Sequence, residues 1–161
     1  MNWHWLSANA GRIASLAGTH LAIALPAIAL AFVISVPLGW VAHRYPRVRE
    51  VVVVLTGLIF VIPSLAMFVL MPLVLGTSIL SPANVVAAMT LYGIALMVRA
   101  AADAFDAVPT AVRQSATAAG YPPARRVLAV ELPLAGPGLL SGVRVVAAST
   151  ISLVSVGALI G

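Results

Sequence analysis

Residues 114–133, QSATAAGYPPARRVLAVELP, hold two adjacent arginines, a glutamate, three prolines and a glycine. They lie in a 161-residue chain that is 62% hydrophobic and only 8% charged. Soluble domains carry about 25% charged residues, so the polar stretch is the exception and the apolar runs around it set the fold class. Residues 21–42 are 22 positions without a charge, residues 51–98 are 48, and residues 145–161 are 17. A membrane-spanning helix needs roughly 20 apolar residues at about 1.5 Å rise each. The 48-residue run is too long for one crossing and suits two. The chain therefore reads as an all-α membrane protein, a polytopic helical bundle.

Outward from the quoted stretch, the spans fall into order. The first covers about residues 19–42; Pro26, Pro37 and Gly39 interrupt it and suggest kinks or a late helix end. The loop HRYPRVRE, residues 43–50, has three arginines in eight positions. The positive-inside rule makes it cytoplasmic and places the N-terminus outside. The leading segment, residues 1–18, lacks the charged start and apolar run of a cleaved signal peptide, and its Trp3 and Trp5 suit a membrane–water interface. A second span is expected over residues 51–75, with Pro63 and Pro72 inside it. The turn-rich residues 76–84 then lie outside. A third span, about 82–102, returns inward and ends with Arg99 and Asp103 on one helical face. Arg113, Arg125 and Arg126 place the non-spanning segment, about 106–137, on the same side as the first basic loop. The last span is expected to start near Gly138 or Arg144.

The quoted stretch itself reads as two short helices around an elbow. Pro109 suits a first helical turn, the alanines favour helix, and Gly120 is a good stop. The prolines of Tyr121-Pro122-Pro123 break the chain, because a residue before proline is pushed out of helical geometry. A second helix follows over ARRVLAVEL, and Pro133 is expected to end or kink it. The first helix presents small residues, Ser115, Ala116, Ala118, Ala119 and Gly120, which allow close backbone approach by another surface. A helix lying on the membrane surface is the plainer alternative.

The spacing of this segment resembles the signature of permease subunits of bacterial ATP-binding-cassette (ABC) importers: E-A-A, three residues, G, nine residues, I-x-L-P. Here it reads Gln114-Ser115-Ala116, three residues, Gly120, nine residues, Val130-Glu131-Leu132-Pro133. Gln114 and Ser115 depart from the pattern. Residues 60–76, 91–105, 132–144 and 155–161 are similar to stretches of the osmoprotectant permeases, which import glycine betaine, choline, carnitine or proline. The resemblance implies a type I ABC importer permease fold over residues 19–161, with four spans here of an expected five and a truncated C-terminus. It implies a coupling segment at about 109–133 that docks on a separate ATPase through Gln114, Ser115, Ala116, Ala118, Ala119, Gly120, Tyr121, Leu132 and Pro133. It further implies a second permease copy or paralogue, an extracytoplasmic substrate-binding protein, a bacterial cell membrane, and ATP with magnesium on the partner alone. Phe60, Pro63, Ser64, Phe68, Tyr92 and Arg99 are pathway or gating candidates, the aromatics because quaternary ammonium groups favour aromatic faces.

Other chemistries find little support. There is no cysteine, and His4, His20 and His43 lack metal-ligand spacing. No phosphate-binding loop, nucleophile elbow or zinc-protease helix is present. Asp103, Asp106 and Glu131 lie beside arginines or at helix ends, where paired structural roles are expected. The net charge of +5 is distributed among membrane segments and not striped on one face, which argues against nucleic acid. A permease for another small solute such as methionine, and a channel or scaffold not coupled to ATP, remain as alternatives.

Overall fold

The computed structural model describes residues 3–157, all helical apart from short connections. A first short helix, α1 (Trp3–Ala8), leads into α2 (Ala10–Arg44), then α3 (Pro46–Val61) and α4 (Ser64–Leu75). They are followed by α5 (Pro82–Asp106), α6 (Thr110–Ala118), the single turn α7 (Pro123–Arg126), a π-helical turn (Val127–Glu131) and α8 (Leu132–Gly157). Three helical stretches among the described residues are long and apolar enough to cross a membrane: α2, α5 and Pro123–Val156. The pair α3–α4 makes a fourth if it is one bent span.

Helix α2 is 35 residues long, about 50 Å at 1.5 Å per residue. It begins nine positions before the expected span, and Pro26 and Pro37 lie inside it without ending it. Its buried face is a stripe of small residues, Ala24, Ala27, Ala31, Ser35, Gly39 and Ala42. Small residues let membrane helices approach closely, which is how such helices associate where lipid removes the hydrophobic drive. At Gly39 a Cβ would sit 2.4 Å from the Cβ of Ala101 on α5. On the other flank of α5, a Cβ at Gly142 of α8 would sit 2.9 Å from the Cβ of Ala100. Helix α5 is therefore the centre of the bundle, clasped by α2 and α8.

Two apolar clusters stack along this axis. One gathers Ala24, Met67, Phe68, Met71, Met89, Tyr92 and Val154. The other gathers Ala31, Met97, Phe105, Val108, Leu139 and Val146. The outer faces stay apolar: Val54, Leu58, Leu73 and Val74 on α3 and α4 are all exposed, as a surface against lipid or another membrane chain requires.

Two expectations are corrected. The second span is not one helix: α3 and α4 meet at 105°. Ile62, ahead of Pro63, is extended at ψ 125°, and Pro63 itself at ψ 137°, the geometry that a proline imposes on its predecessor. The carbonyl freed at the break is satisfied from afar, because the Tyr92 hydroxyl donates to Ile62 O. Conversely, Pro133 does not end its helix, and the helical stretch that carries the last span already begins at Pro123. The π-helical turn lies immediately N-terminal to Pro133. Its wider bore carries the i−4 carbonyl away from the pyrrolidine ring, relieving the clash that proline makes in an α-helix.

Candidate functional site

The elbow after α6 is closed by two backbone bonds. Gly120 N–H donates to Thr117 O at 3.0 Å and Tyr121 N–H to Ala116 O at 3.1 Å. This is the Schellman pattern, and it requires a left-handed residue at the turn. Gly120 supplies it, with φ 82°. The glycine read as a helix stop is thus the cap, and the break over Tyr121-Pro122-Pro123 is where the sequence placed it.

Along α6 Ala116 is buried and Arg113 half-buried, whereas Gln114, Ser115, Ala118, Ala119 and Gly120 are exposed. A Cβ at Gly120 would meet nothing within 4 Å. The small-residue surface is therefore uncovered by the other described residues. Tyr121 is half-buried, with the Arg125 guanidinium 5.1 Å from its ring centroid. Leu132 packs against the second apolar cluster, whereas Pro133 is exposed.

What fastens the elbow to the membrane helices is a set of side chains that sequence spacing did not reveal. Glu131 is buried, and its Oε1 accepts from Arg126 Nε at 2.8 Å. Its Oε2 accepts from Trp40 Nε1 of α2 at 3.3 Å. Arg126 Nη1 also donates to Thr117 Oγ1 of α6 at 2.9 Å. One arginine and one glutamate thus tie α6, the elbow and α2 together. Arg126 and Glu131 are five residues apart, a spacing that the α-helical pairing rule does not match; the π-helical turn aligns them.

A second network joins the two basic regions at the same end of the bundle. Arg49 of α3 pairs with Asp106 and, at 2.6 Å, with Asp103. His43 Nδ1 meets Asp106, and Arg113 of α6 donates to His43 Nε2 at 2.6 Å. Since a guanidinium only donates, Nε2 is an acceptor and the His43 proton lies on Nδ1. Asp103, Asp106 and Glu131 are all arginine-paired, as their sequence contexts imply. The partner of Asp103 is Arg49 and not Arg99, its neighbour one turn away on α5. Arg99 is exposed and has no ion pair or hydrogen bond among the described residues.

The pathway candidates separate in space. Phe60 and Tyr92 stand edge to face, centroids 6.0 Å apart at 82°. They line an open cleft of about 380 Å³ between α3, α5 and α8, with Gly93, Leu96, Ser149 and Ser152. Phe68 lies within the first apolar cluster. Pro63 and Ser64 form the bend between α3 and α4 and do not line the cleft.

Apolar helices packed through small residues, joined by a polar elbow with a bare outer face, have the make-up of a multi-pass membrane protein. The chain belongs to the family of binding-protein-dependent transport system inner membrane components, whose profile matches residues 31–161; it is a permease subunit of an ABC importer. It is 35% identical, over 98% of its length, to the osmoprotectant import permease protein OsmW of Salmonella typhimurium, of which it spans 74%. It is 27% identical over 98% of its length to the glycine betaine/carnitine/choline transport system permease protein OpuCD of Bacillus subtilis, spanning 67% of that protein. Against the choline transport system permease protein OpuBB of Bacillus subtilis the values are 29% over 93%, spanning 66%.

Proposed function

We propose that this chain is the membrane-spanning subunit through which a small osmoprotectant, such as glycine betaine, choline, carnitine or proline, enters a bacterial cell. Transport proceeds by alternating access, coupled to ATP hydrolysis with magnesium on a separate ATPase. The observation that carries the reading is the elbow: an exposed small-residue face, capped at Gly120 and bonded through Arg126 and Glu131 to α2. Such a face accepts a groove on an ATPase, and the bonded clamp conveys its displacement to the membrane helices. Alternating access by rigid-body rocking needs stiff links of this kind. Gln114 stands where the signature has an acid, so docking rests on shape and on the backbone at Ala118–Gly120. The basic end of the bundle faces the cytoplasm, the N-terminus lies outside, and a second permease copy or paralogue and a substrate-binding protein complete the importer. The solutes in the relatives' names support the solute class, as do Phe60 and Tyr92 in the cleft, since aromatic faces attract quaternary ammonium.

The test is uptake into proteoliposomes by the importer assembled with its ATPase and binding protein. Labelled glycine betaine, choline, carnitine and proline are each offered with and without ATP. ATP-dependent accumulation of at least one is expected. Nucleotide-independent flux would favour a channel, and ATP-driven uptake of methionine instead of all four would move the chain to another solute class.

A further inference from the structure

A second cavity, also about 380 Å³, opens at the basic end of the bundle and is lined by Trp40, His43, Arg44, Arg113, Arg126 and Glu131. Its walls come from the end of α2, from α6 and from the elbow. Three of the six lining side chains are guanidinium groups, and only one is a carboxylate. That carboxylate is satisfied: one Glu131 oxygen takes Arg126 and the other takes Trp40. Arg113 donates to the His43 ring and makes no ion pair among the described residues. Among the described residues Arg44 makes no hydrogen bond or ion pair; its guanidinium overlies the Tyr45 ring at 5.8 Å. Two guanidinium charges without counter-ions among the described residues therefore face one concave, partly buried space. Guanidinium forks match the oxygens of phosphate in pairs.

We propose that this cavity binds a phosphate-type oxyanion, supplied by the headgroup of an anionic phospholipid. Its height in the bundle favours the lipid. Trp40 has the interfacial chemistry of a membrane–water boundary, and the α2 surface preceding it, Val33, Ile34 and Leu38, is exposed and apolar, as a surface for acyl chains should be. Basic pockets at the cytoplasmic side of membrane helices hold lipid headgroups in this way. An anion here would bridge Arg44 of α2 to Arg113 of α6, adding a third tie between the elbow and the membrane helices.

The experiment uses the importer purified with its partner subunits, in phosphatidylcholine nanodiscs containing a small fraction of photoactivatable phosphatidylglycerol. Crosslinks are expected in the peptides bearing Trp40–Arg44 and Arg113. Arg44→Gln breaks no bond inside the chain and should lower this labelling about fivefold, the effect of one basic charge near a lipid surface. Arg44→Lys should retain most of it. Loss of labelling when inorganic phosphate is added would keep the oxyanion site and assign it to a soluble source. Labelling indifferent to Arg44→Gln and to phosphate would overturn the proposal, as would crosslinking of this cavity to the ATPase in place of lipid.

Discussion

Arg126 and Glu131 are joined Nε to Oε1 at 2.8 Å across a π-helical turn, and the glutamate side chain is only 4% exposed. The pair ties the elbow to α2, because the other Glu131 oxygen accepts from Trp40. A buried pair is weak evidence for net stability, because desolvating both ions offsets their attraction. Removing one partner is a different matter, since it strands the other charge. Arg126→Ala should destabilise the subunit by about 3–5 kcal/mol, whereas the double variant Arg126→Ala with Glu131→Leu should recover most of it. Thermal denaturation in detergent checks both. A single variant no worse than the double would show that Glu131 is hydrated from the cavity it lines.

Gly120 supplies a left-handed turn with open space around it. A side chain there costs backbone strain of about 1–2 kcal/mol but no clash within the chain. Ala119, exposed next to it, carries no such strain. Ala119→Trp should therefore leave membrane insertion and thermal stability unchanged while abolishing ATP-driven uptake, and Gly120→Trp should lose both uptake and some stability. Cysteines at positions 118 and 119 should crosslink to the ATPase. Normal uptake by Ala119→Trp would mean that this face docks on nothing.

The Tyr92 hydroxyl caps the Ile62 carbonyl left open by the break at Pro63. Tyr92 is buried in the first apolar cluster, so Tyr92→Phe keeps the packing and deletes one bond. An unsatisfied buried carbonyl costs about 1–3 kcal/mol. The expected result is a loss of that size, with faster hydrogen exchange confined to the α3–α4 junction. Uniformly faster exchange would instead point to a core defect.

The elbow was legible because its determinants are local: a glycine at the cap, prolines after it, alanines before it. The spans were legible because length and hydropathy decide them. What escaped the sequence depends on partners far along the chain. Pro26, Pro37, Pro63, Pro72, Pro133 and Pro137 look alike in the sequence, yet only Pro63 breaks a helix, at a carbonyl that Tyr92, 30 residues on, can cap. The π turn hides in an ordinary alanine–valine sequence and shows itself only through Glu131, whose Trp40 partner is 91 residues away. The i,i+4 spacing of Arg99 and Asp103 fits a helix pair, but Arg49 arrives from α3 and takes the carboxylate.

That exchange leaves Arg99 exposed and without an acidic partner among the described residues. On α5 it shares a face with Tyr92 and Leu96, at i, i+4 and i+7, and both of those line the cleft. Arg99 lies about one turn beyond Leu96 and is not itself a lining residue of the cleft. An arginine without a counter-ion on a membrane helix marks a functional site by default. Within the function proposed above, we propose as its partner the carboxylate of a zwitterionic solute whose quaternary ammonium would rest on Phe60 and Tyr92. A charged hydrogen bond contributes about 1.5–3 kcal/mol. Arg99→Gln should thus slow uptake of a carboxylate-bearing quaternary ammonium solute about tenfold or more, with Arg99→Lys recovering part of it. A quaternary ammonium solute without a carboxylate should pass at the wild-type rate. Equal loss for both solutes would make Arg99 a structural residue, and no loss for either would mean that its guanidinium only reaches for the membrane surface.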